Sequence, residues 1–303
     1  MSAGEGRAAA VIGLGSMGAG MAASLLRAGF ALRGFDVVAA NLERLAAAGG
    51  APAASPEAAA RGANIVVSVV VNAEQTEAVL FGAAGCAAAM APGAVFISCA
   101  TMAPEAVRAL AARLEARGVH YLDAPISGGT ARAAEGKLTI MASGSEAAFA
   151  AARPALDAMA ATIHELGDAP GIGAGFKMVN QLLAGVHIAA ACEAVAFAAS
   201  MGLDLARVYE VITGSAGNSW MFENRVPHIL EADYAPRSAV DIFTKDLGIV
   251  LDMARRGRMP VPMASEALQL FLMTAAAGMG RDDDASVARL FARIAPISLP
   301  EPS

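Results

Sequence analysis

Short β-branched runs alternate with alanine-rich stretches of helical spacing through the first half of the chain, the pattern of βαβ units feeding a parallel sheet. Strands are predicted over 9–14, 31–35, 65–71, 94–98, 120–122, 138–142 and 162–166. After residue 166 the texture changes. The cluster Gly167-Asp168-Ala169-Pro170-Gly171-Ile172-Gly173 precedes a nearly apolar stretch over 176–201 whose one potential breaker is Gly185, which predicts a single long helix. Helical spacing recurs over 205–213, 241–256, 263–278 and 285–294. The expected fold class is α/β, a doubly wound sheet over 1–168 followed by an all-α C-terminal domain over 169–303, entered through the long interdomain helix. That helix is apolar around its whole circumference, so it must be buried against other helices or another subunit, and a homodimer or homotetramer is expected.

Composition narrows the class. The 303 residues are twice the ~150 of an average domain. With 56% hydrophobic and 17% charged residues, the chain lies far from the composition that sustains disorder. Acidic residues outnumber basic ones by 28 to 22, and no Lys/Arg stripe stands ready to neutralise a phosphate backbone, so nucleic acid is not an expected partner. Two uncharged stretches invite a membrane reading. The first, 82–104, is divided by Pro92-Gly93 into a small-residue segment and a strand, and the second, between Arg7 and Arg27, holds Gly13, Gly15, Gly18 and Gly20 and reads as the first fold element. No membrane association is expected. Cys86, Cys99 and Cys192 form no disulfide or zinc pattern, which places the protein in the cytoplasm, and His120, His164, His187 and His228 share no ligand spacing, so no metal is expected.

The glycines at the first turn carry chemistry. Gly13-Leu14-Gly15-Ser16-Met17-Gly18 follows the first strand directly and opens a helix running to about Leu26. In the Rossmann-type arrangement Gly13 allows the tight turn, Gly15 lets the backbone approach a pyrophosphate, and Gly18 permits close helix–strand packing, with the helix amides facing the anion. Asp36 ends the next strand, where a carboxylate would accept hydrogen bonds from the adenosine ribose and repel a 2′-phosphate. Val37 and Val38 supply no guanidinium to hold such a phosphate, and Arg33 reads as a surface residue, so the cofactor expected is NAD. The alternative is a glycine-rich turn that binds nothing.

Lys137, Lys177 and Lys245 are the only lysines, the other basic residues being arginine. An arginine cannot deprotonate in a protein, whereas a desolvated lysine can be tuned to exchange a proton, so each lysine is a candidate acid/base. Lys177 begins the long apolar helix just past the domain hinge, with Asn180 and Gln181 at i+3 and i+4 on the same face, where their amides could orient a substrate hydroxyl or the ammonium. The alternative is a solvated helix end. Lys245, in Asp241-Ile242-Phe243-Thr244-Lys245-Asp246-Leu247, taken alone reads as an exposed charge, and Lys137 as a turn residue. Directly after a strand stands Asp123-Ala124-Pro125-Ile126-Ser127-Gly128-Gly129-Thr130, whose hydroxyl and consecutive glycine amides could form an anion site or a plain turn.

Together these motifs resemble the β-hydroxyacid dehydrogenase family, which includes 3-hydroxyisobutyrate dehydrogenases and tartronate semialdehyde reductases. The resemblance spans almost the whole chain through four ordered motifs: residues 13–18, residues 123–129, Gly171-Ile172-Gly173 leading to Lys177, and Lys245-Asp246-Leu247. It implies that Lys177 is the catalytic acid/base, that Ser127, Gly128 and Gly129 bind a substrate carboxylate with Asn180 assisting, and that Lys245 and Thr101 lie against NAD. Where many members have Asp-x-Ser-Thr this chain has Ser98-Cys99-Ala100-Thr101, and in place of a Leu-Pro pair it has Val70-Val71-Asn72, so Val71 and Asn72 carry over as weak cofactor contacts. Residues 217–228 and 238–243, with Trp220 and Glu223-Asn224-Arg225, look most like the L-threonate dehydrogenases, though packing and a surface ion pair are the plainer account of those side chains. The implied reaction is NAD-dependent oxidation of the C2 hydroxyl of a small hydroxy acid, L-threonate first. Lys177 takes the proton, its amine made neutral by burial and a nearby cationic ring. A tartronate semialdehyde or 3-hydroxyisobutyrate enzyme is the alternative within the family, and a non-catalytic NAD-binding interaction module the alternative outside it.

Overall fold

The computed structural model describes residues 7–301. Six strands, β1 (Ala8–Ile12), β2 (Ala31–Phe35), β3 (Ala51–Pro52), β4 (Ile65–Ser68), β5 (Val95–Ser98) and β6 (His120–Asp123), form one sheet in the order β3-β2-β1-β4-β5-β6, every pair parallel. This is the Rossmann order, whose reversal between β1 and β4 opens a crevice at the strands' carboxyl ends. Alternation along the strands builds a core on each face. Val11, Val67, Ile97 and Leu122 pack with Met21 and Leu25 of helix Ser16–Arg27 and with Leu156 and Met159 of helix Glu146–Met159. Ile12, Val66, Phe96 and Tyr121 pack on the other side with Val107, Leu110 and Leu114 of helix Pro104–Glu115.

Two expected strands do not join that sheet. β7 (Ile126–Ser127), β8 (Leu138–Ala142) and β9 (Ala160–Glu165) form a separate three-stranded sheet, antiparallel between β7 and β8 and parallel between β8 and β9. The chain leaves β6 through Pro125, which has no N–H to extend a ladder, and pairs next with β8. The strand expected over 65–71 ends at Ser68, because Asn72 already caps helix Ala73–Phe81, its side chain accepting from the Gln75 N–H at 2.8 Å.

The chain forms two compact units that divide between Lys177 and Met178, inside helix Ile172–Ser200 and a little beyond the compositional shift. The second unit is helical: Leu205–Thr213, Trp220–Leu230, Val240–Arg256, Pro262–Thr274 and Val287–Ile294 follow the long helix. Helix Trp220–Leu230 was not legible in the pattern because Pro227 lies inside it, and Ser219 caps its start by accepting from Phe222 N–H at 3.0 Å. The helical core gathers Ile188, Val195, Phe222, Val226 and Leu247 around Phe243 and Phe271, whose rings stack at 5.1 Å. By length and a mean hydropathy of 1.8 the long helix could cross a membrane, yet half of that window is buried inside the fold.

Candidate active site

Three places hold the expected site residues. At the first, Gly18 packs so closely that a Cβ on it would lie 1.8 Å from the Gly13 carbonyl oxygen, and a Cβ on Gly13 would lie 2.5 Å from that of Val69, just past β4. Gly15 faces open space, with nothing within 4 Å of where a Cβ would be. It is also the N-cap of helix Ser16–Arg27, which has no side-chain cap and no acidic residue in its first turn. Uncapped amides, a positive helix terminus and room in front of Gly15 fit a dinucleotide pyrophosphate. Leu14, Ser16 and Met17 complete the turn. Asp36 is anchored beside it: its carboxylate accepts the Leu14 N–H at 2.6 Å and the Val38 N–H at 2.8 Å. Both oxygens keep a lone pair for a ribose hydroxyl. Arg33 is exposed and donates to the Arg61 carbonyl.

Val71 and Asn72 lie past the carboxyl end of β4, and Thr101, half-buried, three residues past β5. The Asn72 side-chain carbonyl is already used as a helix cap, and the Val71 N–H donates to Gln75 Oε1 at 2.9 Å, so local structure accounts for much of what these two residues do.

At the second place, the segment after β6 grips the start of the long helix. Asp123, 1% exposed, accepts the Gly171 N–H at 3.0 Å and the Ala174 N–H at 2.8 Å on Oδ2. The Ser143 hydroxyl donates to the same oxygen at 3.3 Å and accepts the Gly173 N–H at 2.9 Å. A carboxylate here satisfies helix amides that would otherwise be buried without partners. Gly173 is required by the contact, since a Cβ there would lie 2.3 Å from the Met141 carbonyl oxygen. Burial pushes the Asp123 carboxyl up to about 6, against the pull of those donors. Its Oδ1 has no hydrogen-bond partner.

One turn on, Lys177 is 7% exposed, so it is no solvated helix end, and its Nζ donates to the Ile126 carbonyl at 2.8 Å. Ile126 immediately precedes Ser127, Gly128 and Gly129. Gly128 has φ +134° and Gly129 φ +76°, backbone that favours glycine, where the chain turns from Ser127 into helix Gly129–Glu135. The structure therefore brings the amine and the Ser-Gly-Gly turn together. Asp123 stands within its motif with nothing in the sequence to mark this role, and Ser143 carries no signal.

The third place is in the helical unit. Gln181, expected to contact substrate, is 7% exposed and bonded at both amide atoms, with Nε2 donating to Asp246 Oδ2 at 2.5 Å and Oε1 accepting from Asn180 Nδ2 at 2.8 Å. Lys245 is partly buried rather than an exposed charge, its Nζ 2.5 Å from Asp246 Oδ1. Arg225 corrects a further expectation: it is no surface pair but a buried guanidinium, held by Asp284 at 2.5 and 3.0 Å. Trp220 is 48% exposed. His187 is half-buried at the edge of a groove. Burial holds the Cys86 and Cys99 thiols up at about 12, so neither serves as a nucleophile. Among the described residues no group of three or more His, Cys, Asp or Glu side chains is placed to hold a metal ion.

The family model of the NAD binding domain of 6-phosphogluconate dehydrogenase matches residues 8–167, and that of the NAD-binding region of NADP-dependent 3-hydroxyisobutyrate dehydrogenase matches residues 171–291. An L-threonate dehydrogenase of Cupriavidus necator is 54% identical over 93% of this chain and 95% of its own. The L-threonate dehydrogenase of Escherichia coli K12 is 45% identical over 94% of each chain. The crystal structure of a 3-hydroxyisobutyrate dehydrogenase from Salmonella typhimurium superposes with a TM-score of 0.89 at 47% identity, covering 93% of this chain and 99% of that one.

Proposed function

Because the chain belongs to the 3-hydroxyisobutyrate dehydrogenase-like family of β-hydroxyacid dehydrogenases and is an NAD-dependent hydroxyacid dehydrogenase, we propose that its substrate is L-threonate, oxidised at C2 to the 2-oxo acid with Lys177 as the general acid/base. Bound NAD supplies the hydride acceptor. Gly13, Leu14, Gly15, Ser16, Met17 and Gly18 hold its pyrophosphate, Asp36 its adenosine ribose, and Val71, Asn72, Thr101 and Lys245 are further contacts. The Asp36 carboxylate opposes a 2′-phosphate, with Val37 and Val38 offering no compensating cation.

The chain's own chemistry follows from two groups. The Ser127 hydroxyl and the Gly128 and Gly129 amides hold the substrate carboxylate, which fixes the reacting carbon. The Lys177 amine donates to the Ile126 carbonyl, and in its neutral form its lone pair takes the proton of the C2 hydroxyl. In reduction the same nitrogen returns the proton. The observation that carries this reading is the 2.8 Å contact that holds the amine one residue from the Ser-Gly-Gly turn. L-Threonate as the particular acid is supported by the names of several relatives, and the Salmonella structure makes 3-hydroxyisobutyrate the second reading. A homodimer or homotetramer is part of the proposal, supported by Val179, Leu183 and Phe197 standing exposed on the long helix and Met201 just past its end, and a cytoplasmic location by three free, buried cysteines.

Lys177→Ala tests the mechanism: turnover should drop by about 10³-fold or more while NAD affinity, measured by calorimetry, stays within a few-fold. Native turnover in that variant removes the assignment. A panel of L-threonate, tartronate semialdehyde and 3-hydroxyisobutyrate tests the substrate, and a higher kcat/KM for either of the last two overturns L-threonate.

A further inference from the structure

In the helical unit a chain of polar groups runs from Lys245 to Asn180. Asp246, 1% exposed on helix Val240–Arg256, meets the Lys245 ammonium with Oδ1 and the Gln181 amide with Oδ2, each at 2.5 Å. Gln181 Oε1 then accepts Asn180 Nδ2 at 2.8 Å. The long helix reaches Asp246 because Gly185, one turn past Gln181, lets it close on Leu247: a Cβ there would lie 2.9 Å from the Leu247 side chain.

The direction of this chain is dictated chemically. A carboxylate only accepts, so Gln181 must turn its NH2 toward Asp246. Its carbonyl then faces Asn180, which must turn its own NH2 inward. Two linked amides alone could both flip and keep their mutual hydrogen bond; the carboxylate removes that degeneracy. We infer that Asp246 is a positioning residue which, through Gln181, fixes the Asn180 amide with its carbonyl oxygen turned outward as an acceptor for a substrate hydroxyl beyond the reacting carbon. The inference rests on the reading of Asn180 as a substrate contact. It gives the site a preference for polyhydroxy acids, because an outward acceptor rewards a hydroxyl donor where an outward NH2 does not.

Lys245 makes the test sharp. In Asp246→Asn the ammonium still demands an oxygen, so the new amide turns its NH2 to Gln181. Gln181 then presents its oxygen to residue 246 and its NH2 to Asn180, and the whole relay reverses without losing a hydrogen bond. Adding Gln181→Glu restores the original direction, since a carboxylate in place of the Gln181 amide accepts from both neighbours. The readout is the ratio of kcat/KM for L-threonate to that for 2,4-dihydroxybutanoate, which lacks the C3 hydroxyl; a purely structural loss lowers both and leaves the ratio alone. Asp246→Asn and Asn180→Ala should each lower this ratio by roughly tenfold. The double variant Gln181→Glu/Asp246→Asn should bring it back to within about threefold of native. If Asn180→Ala lowers the ratio and Asp246→Asn does not, the positioning role of Asp246 is overturned. It is overturned equally if a folded double variant shows no recovery, which would mean that Asp246 acts by holding Lys245. If Asn180→Ala leaves the ratio unchanged, the substrate-contact reading of Asn180 fails, and the inference with it.

Discussion

The two units handle buried charge in opposite ways. In the α/β unit the ion pairs lie at the surface: Arg113–Glu77 and Arg153–Glu165 keep about half of each side chain in solvent. Its buried carboxylate, Asp123, is satisfied by backbone amides and a hydroxyl. In the helical unit buried carboxylates meet side chains, Asp284 the Arg225 guanidinium, Asp246 the partly buried Lys245 ammonium and Asp283 the His228 ring, and every one of those carboxylates is at most 1% exposed. A sheet that delivers a side chain to a helix N-terminus can neutralise it with peptide dipoles. The helical unit meets its buried carboxylates largely with cations. The first solution leaves a carboxyl open to titration, and the second leaves a fold vulnerable to loss of either partner.

The largest effect expected from this contrast is in the helical unit. Asp284 is held between burial, which pushes its carboxyl up, and the Arg225 guanidinium, which pulls it down. For Arg225, burial pulls the guanidinium down and neighbouring groups, Asp284 foremost, more than restore it. Burial opposes the charge on each partner and the pairing opposes burial on each, so removing the pair as a unit differs from disrupting it. Arg225→Met should cost about 3–5 kcal/mol in urea unfolding, because it strands a buried carboxylate, whereas Arg225→Met with Asp284→Leu should return to within about 2 kcal/mol of native. A single-variant loss below about 1 kcal/mol would break the comparison at its strong end.

Next in size is the pH response of Asp123. Its carboxyl titrates at about 6 in the folded chain against an ordinary value of 3.8. Between those values the folded state keeps a proton that the unfolded chain has released, so stability from this group is full below about pH 4 and declines as pH rises through about 6. The total is on the order of 3 kcal/mol. The difference in unfolding free energy between native protein and Asp123→Asn, measured from pH 4 to 7, isolates it from other carboxylates. A flat difference would mean that the helix amides hold Asp123 ionised throughout, in which case the α/β unit is no more open to titration than the helical one.

What the sequence disclosed divides along the same line. Residues 13–18, Asp36 and the turn 127–129 are local signals, and in the fold each lies within a few residues of a strand end. Lys177 stood out because so few lysines exist, and its contact with Ile126 lies within the unit whose topology was legible. The helical unit offers no such punctuation. Gln181 and Asp246 are 65 positions apart, and Arg225 and Asp284 are 59, so nothing in linear spacing distinguishes a buried partner from a surface charge. The separate sheet β7-β8-β9 was missed for a related reason: hydrophobic alternation predicts strands but not their neighbours, and the departure at Pro125 is a single residue.

The smallest effect is the control that gives the comparison its scale. Arg153, like Arg225, meets carboxylates at hydrogen-bond distance, with Asp157 at 2.9 Å and Glu165 at 3.1 Å. Its surroundings differ, since each of these side chains remains a little over half exposed. Water then screens the attraction and already solvates the carboxylates, so nothing is stranded when the guanidinium goes. Arg153→Ala should therefore cost less than about 1 kcal/mol, and less still at high salt. The same urea titration used for Arg225→Met measures it. A cost matching that of Arg225→Met would show that contact geometry rather than burial sets the energy of these pairs, and the distinction between the two units would lose its physical basis.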